Sequence, residues 1–451
     1  MSLKLYTSQR ETTMSQRMNA DTTVTEELTS QHRLHWGSVM MIWAGSIIAV
    51  PSILVGQQLV SMLNLLLALL AGLLGYGLVA LIATLQGAQA ADLGRPTVVN
   101  AQPSFGKGGA NYMFSFIVAI ALIGWFGIQA GVAGTSFQSL LALVGIHLKL
   151  WLATVIISLA MLLSAIYGFQ AMKKLNIIAT PLLIIVLGYA TFSALHHVNL
   201  TGLWAYHPKG HLDFASGVSI VFGSLIVGGV IAGDFTRYNR RRLDVVKSSF
   251  IGIVPFGVIL VAVGSFLTIT APSGSADIIA ILVAHIPIPA VALITLILAT
   301  WTTNVSNAYS AGIALVNGLR LSGTKRPLVT AIAGILGTIL AVVGILNYFA
   351  TFLSLLTALI TPMAGVMIAD YWLLNKGRSH GYMEQVASKW VGMTAWLIGS
   401  IPGILALFPK LLPAVITSSS VVMSLLGVVG LFIAMIVYLA LRGGKNYATN
   451  Y

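Results

Sequence analysis

Cysteine is absent from this chain of 451 residues, which excludes disulfides and thiolate metal sites. Charge is scarce. Only 8% of the residues are Asp, Glu, Lys or Arg, against roughly 25% in a soluble domain. The 11 acidic residues all avoid the middle of the apolar runs. The 9 histidines lie near the amino terminus, in connections or at run ends, His285 coming closest to a run. Proton relays inside membranes use Asp, Glu or His, and no such relay is evident. The same scarcity argues against carboxylate-assisted hydrolysis and against a His/Asp/Glu metal centre at membrane depth. An intramembrane protease, any other enzyme and a metal transporter are all disfavoured. The first 33 residues contain no apolar stretch of signal-peptide type.

What is abundant is hydrophobic surface: 57% of the residues, with mean hydropathy +0.92. Runs of about 20 apolar residues can cross a bilayer as helices. Twelve are expected, at about 36–60, 64–86, 111–143, 148–171, 174–196, 213–238, 249–271, 288–320, 327–345, 347–374, 389–409 and 413–441. The runs are continuous and do not alternate, which excludes a β-barrel. The chain is expected to be an all-α integral membrane protein.

The net charge of +13 invites a nucleic-acid reading, and its distribution argues against one. With the amino terminus cytoplasmic and alternating spans, only Lys149, Lys209 and Lys410 fall outside, and the other 21 of the 24 basic residues fall inside. The inside set includes Lys173, Lys174, Arg237, Arg240, Arg241, Arg242, Lys247, Arg320, Lys325 and Arg326. This is the positive-inside pattern. It predicts a multi-pass plasma-membrane protein with both termini cytoplasmic, in contact with anionic lipid and not with nucleic acid.

Two runs carry helix breakers at mid-depth: Gly45 and Pro51 in the first, Gly223, Gly228 and Gly229 in the sixth. Proline removes a donor and glycine relaxes the backbone. Unwound backbone is tolerated in a membrane only beside a cavity or ligand, although glycine also serves plain helix packing. The separation from Ile48 to Ile226 equals that from Trp125 to Thr303, 178 residues. A five-span unit used twice, the second copy inverted, accounts for that offset, and paired broken helices mark a transporter site. The expected organisation is a tail at 1–35, a ten-helix core at 36–374 (repeats at about 36–196 and 213–374), two further helices at 375–441, and a tail at 442–451.

The eighth run contains the polar island Thr302-Thr303-Asn304-Val305-Ser306-Asn307-Ala308-Tyr309. Polar side chains at this depth face a partner or a cavity. A sodium ion needs no charged ligand. Thr302 and Thr303 supply hydroxyls, Ala299 lies one turn earlier, and a broken first run offers carbonyls near Gly45 and Ile48. Equally, both threonines could bond back to their own helix. Trp125 and Gln129 share a helix face, a flat plate with an amide beside it that suits a planar heterocycle. Packing and an interhelical hydrogen bond would also account for them. Asn304 and Asn307 offer amides able to read a heterocycle edge. Asp234 and Asp370, at the ends of their runs, read as structural ion-pair partners, Asp234 with the alternative of a gate.

Four motifs resemble one family. Gly-Trp-Phe-Gly-Ile-Gln at 124–129, Asp-Phe-Thr-Arg-Tyr at 234–238, Trp-Thr-Thr-Asn at 301–304 and Ala-Asp-Tyr-Trp at 369–372 are similar to motifs of the nucleobase–cation symporters, in family order across about 40–375. These are the cytosine, purine–cytosine and hydantoin permeases. The resemblance implies two inverted five-helix repeats plus two extra helices, as in the leucine transporter. It implies a sodium site from the carbonyls of Gly45, Ile48 and Ala299 with the hydroxyls of Thr302 and Thr303. It implies a substrate stacked on Trp125 and touching Gln129, Asn304, Asn307, Ser224 and Leu225. Leu225 departs from relatives that place an aromatic there. The expected function is sodium-coupled import of a nucleobase or similar heterocycle by a monomer. The alternatives are proton-coupled transport of allantoin, hydantoin or a vitamin pyrimidine, an amino-acid or amine symporter of the same fold, and a sensor that no longer transports.

Overall fold

A computed structural model describes residues 27–28, 33–167, 169–196, 200–208, 210, 213–271, 278–384, 388–417 and 419–443. Most of both expected tails and Lys209 lie outside the described residues, as do the side chains of Lys173 and Lys174. The principal helices are α1 (Trp36–Ile47), α2 (Val50–Val60), α3 (Leu65–Leu93), α4 (Ser115–Ala142), α5 (Leu150–Tyr167), α6 (Phe169–His196), α7 (Phe214–Val230), α8 (Arg242–Ile269), α9 (Pro289–Gly318), α10 (Arg326–Val343), α11 (Phe349–Ile368), α12 (Lys389–Ala406) and α13 (Ser420–Gly443). Among the described residues, eight helices are long and apolar enough to cross a membrane, and α1 with α2 forms a ninth, bent by 60°. Three shorter apolar helices occupy Leu150–Ile166, Phe214–Val230 and Trp390–Ala406. This is an all-α, multi-span membrane protein.

The first run breaks where its chemistry predicts. Pro51 has no N–H for the Ile47 carbonyl, and the Ser52 hydroxyl donates to that carbonyl instead, at 2.7 Å. Ala49 is extended, at φ −148°. Its N–H turns to Ile47 (2.7 Å), and the Ser52 N–H turns to Ala49 (3.1 Å). The carbonyls of Gly45 and Ile48 therefore miss the donor four residues ahead.

The sixth run corrects the sequence expectation. Helix α7 passes unbroken through Gly223, Gly228 and Gly229 and ends at Val230. A turn at Ile231 and Ala232 follows, then the short helix Gly233–Thr236. The glycines serve close packing. A Cβ on Gly223 would lie 2.6 Å from the Leu353 carbonyl oxygen, and one on Gly229 would lie 3.2 Å from Val79. The break sits at Ile231 and Ala232, between Gly229 and Gly233.

Helices α4 and α9 lie side by side, α8 packs on α1, α2 and α3, and α12 and α13 pack together beside α11. The α2–α8 seam brings backbone against backbone. A Cβ on Gly264 would stand 2.2 Å from the Ile53 carbonyl oxygen, and one on Gly56 would stand 2.3 Å from that of Val261. Gly264→Ala must therefore push the two backbones apart. A loss of about 1–3 kcal/mol is expected, read as earlier aggregation when the detergent-solubilised protein is heated.

Candidate functional site

The bend between α1 and α2 opens one wall of a cavity of about 780 Å³. Helices α3, α4, α6, α7 and α9 complete it. Ten of the eleven residues singled out from sequence line this space: Gly45, Ile48, Trp125, Gln129, Ser224, Leu225, Ala299, Thr302, Thr303 and Asn307. Chain segments remote in sequence thus meet in one chamber.

Trp125 is gripped from one side. Phe352 meets its ring edge-on at 5.4 Å and 84°, and Phe349 at 6.1 Å and 70°. Gly124 makes room for this, since a Cβ there would lie 2.2 Å from the Phe352 ring. Gln129, one turn along, is 1% exposed, and neither its Nε2 nor its Oε1 has a hydrogen-bond partner. An unpartnered buried amide costs about 1–3 kcal/mol per group. It lines the cavity, where both polar atoms could bond a ligand.

Asn304 and Asn307 are both expected at the substrate, and only Asn307 reaches the cavity. Asn304 is fully buried and lies outside the cavity lining. Its Nδ2 donates to the Phe126 carbonyl at 3.1 Å and approaches the Met161 sulfur at 3.5 Å. It joins α9 to α4. Asn307 lines the cavity and donates to the Asn304 Oδ1 at 3.4 Å. Residues three apart on a helix diverge by about 60° of azimuth, and the seam with α4 decides which one faces inward.

The threonine hydroxyls both donate to the Ala299 carbonyl, Thr302 at 2.9 Å and Thr303 at 3.1 Å. A hydroxyl has one proton and two lone pairs. With the protons held by Ala299, the lone pairs remain for a ligand. The Gly45 and Ile48 segments, whose carbonyls lack their helical donors, line the same chamber. This all-oxygen, uncharged donor set fits a hard monovalent cation. Among the described residues no cluster of His, Asp or Glu could hold a metal ion.

Three lining residues escaped sequence reasoning. Trp43 is 1% exposed, and its Nε1 has no partner. An indole two residues before Gly45 in a broken run was the available signal. Tyr76 comes from α3, and its hydroxyl reaches Ser52 and Ser224, tying the first-run bend to α7. A tyrosine in the middle of an apolar run could have been noticed. Thr180 enters from α6 beside Pro181.

The acids at the helix ends are structural. Asp234 accepts from the Thr97 backbone N–H at 2.9 Å. Asp370 pairs with Arg442 at 3.1 Å and accepts from Ser104 (3.0 Å) and Tyr382 (2.9 Å). Burial, then the Asp370 charge, pushes the Tyr382 phenol well above its ordinary value, so it stays a donor.

A chamber lined by oxygen atoms and an aromatic plate, sunk among membrane helices, has the form of a small-molecule transporter's site. The family model described as "Permease for cytosine/purines, uracil, thiamine, allantoin" matches residues 28–433, and the chain belongs to that family. It is a secondary transporter of the nucleobase, allantoin and hydantoin permease class, and not an enzyme. The cytosine permease of Escherichia coli K12 is 29% identical over 338 residues, covering 74% of this chain and 77% of that permease. The inward-facing conformation of the transporter Mhp1 superposes with a TM-score of 0.77 at 19% identity, covering 94% of this chain and 95% of that one. A sodium-coupled sialic acid symporter superposes at 0.63 with 12% identity, covering 94% and 93%. These two likenesses show the shared fold.

Proposed function

We propose that this protein imports a nucleobase of the cytosine or purine type, or a related planar heterocycle, coupled to sodium by alternating access. The carrying observation is the orphaned Gln129 amide beside the Trp125 ring in the cavity wall. One donor and one acceptor next to an aromatic face match the lactam edge and ring of such a base. Asn307 and Ser224 offer further polar contacts, and Leu225 forms an aliphatic wall. Sodium, held by the oxygens of Gly45, Ile48, Ala299, Thr302 and Thr303, ties α1 to α9 and favours the outward-open state. Substrate docking then closes the outer side. One charge crossing about 100 mV contributes roughly 2.3 kcal/mol, and a tenfold sodium gradient adds about 1.4 kcal/mol. Together they sustain accumulation on the order of several hundredfold.

The proposed topology has twelve spans, counting the bent pair as one and the three shorter apolar helices as spans, with both termini cytoplasmic. Two inverted repeats, 36–196 and 213–374, form the core. Their pairing is supported by the breaks ending α1 and α7 and by the α4–α9 contact, where Asn304 meets Phe126 178 residues earlier. The cavity runs along Met41, Ile42 and Phe235 toward the basic loops, which supports an inward-facing state.

Purified protein screened by thermal shift against nucleobases, hydantoins, allantoin and vitamin pyrimidines, with and without sodium, identifies the substrate. For the compound so found, Trp125→Ala should weaken binding about tenfold or more, since stacking of a base is worth about 1–3 kcal/mol. Gln129→Leu should raise the melting temperature of the substrate-free protein, because it removes an orphaned buried amide, and should abolish the substrate-induced shift. A substrate shift that survives both substitutions at full size rules this site out.

A further inference from the structure

The α9–α10 connection carries a feature that transport does not explain. Helix α9 ends in a turn where the Arg320 N–H bonds the Asn317 carbonyl (3.2 Å) and the Leu321 N–H bonds the Val316 carbonyl (2.9 Å). The residue at the centre of such a turn is left-handed, and Arg320 sits there at φ 53°. Glycine is the usual occupant, because a side chain strains this conformation by about 1 kcal/mol. An arginine is held here against backbone preference. An observed outlier of this kind is grounds for asking what the side chain does.

The guanidinium of Arg320 lies over the Tyr112 ring, 5.0 Å from its centroid, and stands beside Gly108. Arg326 lies over Tyr309 at 4.7 Å and spends one donor on the Tyr309 hydroxyl at 2.8 Å. Lys325 and Lys107 are exposed nearby, in the same connection and just ahead of Gly108. The chain has no acidic residue between 93 and 212 or between 278 and 369. Among the described residues, none of these four cations forms an ion pair. Elsewhere on the described surface, Arg95, Arg241 and Arg242 do have carboxylate partners. Here two arginine forks are pre-set on tyrosine faces with most donors unspent, a geometry suited to phosphate oxygens.

The surroundings select the source of that phosphate. Leu319, Leu321, Leu328, Tyr112 and Phe116 are each at least 38% exposed around the same patch. Cationic forks bordered by exposed apolar side chains match a lipid headgroup with its chains attached, where a soluble anion or an acidic protein would leave the apolar rim wet. We propose that Arg320 and Arg326, with Lys107 and Lys325, bind the phosphate of an anionic phospholipid at the junction of α9, α10 and the segment preceding α4. Because α9 also carries Thr302 and Thr303, the lipid clamps the helix on which the cation site is built.

The test uses the full chain purified in mild detergent and titrated with phosphatidylglycerol, with retained lipid counted by native mass spectrometry. Arg320→Gly is the decisive variant. Glycine suits the left-handed turn, so the variant should melt at or above the wild-type temperature, and a loss of lipid cannot be blamed on misfolding. Phosphatidylglycerol binding should weaken several-fold in Arg320→Gly and on the order of tenfold or more when Arg326→Gln is added. Phosphatidylcholine binding should not change. Arg240→Gln, on the same basic side, should behave as wild type. Equal phosphatidylglycerol retention by wild type and Arg320→Gly overturns the proposal. So does competition by free inorganic phosphate or by an acidic peptide as effective as competition by the lipid.

Discussion

Asp370→Ala is expected to lower the stability of the folded protein by about 3–5 kcal/mol, the range for breaking a buried ion pair from one side. The aspartate is 1% exposed and Arg442 8% exposed. Removing the carboxylate takes the opposing charge from a buried guanidinium, against which the Pro103 carbonyl (2.8 Å) and the Tyr438 hydroxyl remain. It also takes the acceptor from Ser104 and Tyr382. Asp370→Asn retains acceptor capacity for those two hydroxyls and should be milder. Adding Arg442→Met to Asp370→Ala should recover much of the loss, because no uncompensated charge is left. Thermal unfolding in detergent checks each step. Additive losses in the double variant would show that the two residues do not act as a pair. The pair matters for architecture because it fastens the end of α13 to the end of α11 and to the Gln102–Gly109 helix.

Thr302→Ala combined with Thr303→Ala should abolish the sodium dependence of uptake while leaving the fold intact. Among the described residues, each hydroxyl here bonds the Ala299 carbonyl of its own helix alone, and such back-bonds contribute little to helix stability. The loss therefore falls on the ligand. With two of five proposed oxygens removed, the sodium-induced thermal shift should vanish and concentrative uptake in proteoliposomes should drop to equilibration. Serine at both positions keeps the oxygens and should restore coupling. A double alanine variant that accumulates substrate as steeply with the sodium gradient as wild type sinks the cation assignment.

Much of the chamber was legible in the chain because polar atoms at membrane depth have few excuses. Gln129 and the threonine pair stood out against apolar neighbours, and Pro51 forced a break whose position followed from its missing N–H. The four motifs then gathered these positions under one family. Other features were hidden. Asn304 and Asn307 have the same chemistry and lie on the same helix, and only the contact with Phe126 turns one away from the cavity. The glycines of α7 look like a break and act as packing surfaces, since sequence does not say whether a glycine frees its backbone or admits a neighbour's. For Trp43 and Tyr76, composition and spacing do not separate a cavity-lining aromatic from a packed one.

Composition and run length alone determined the class: an all-helical membrane protein, rich in basic residues, poor in charge within its apolar runs and free of cysteine. Those properties are sums over single residues and survive any arrangement of the helices. Tertiary structure decided which polar residues share the chamber, where α7 ends, and that Arg320 and Arg326 rest on tyrosines without an ion pair among the described residues. Each of these depends on which helix lies against which, and the chain encodes that only through many weak contacts acting together.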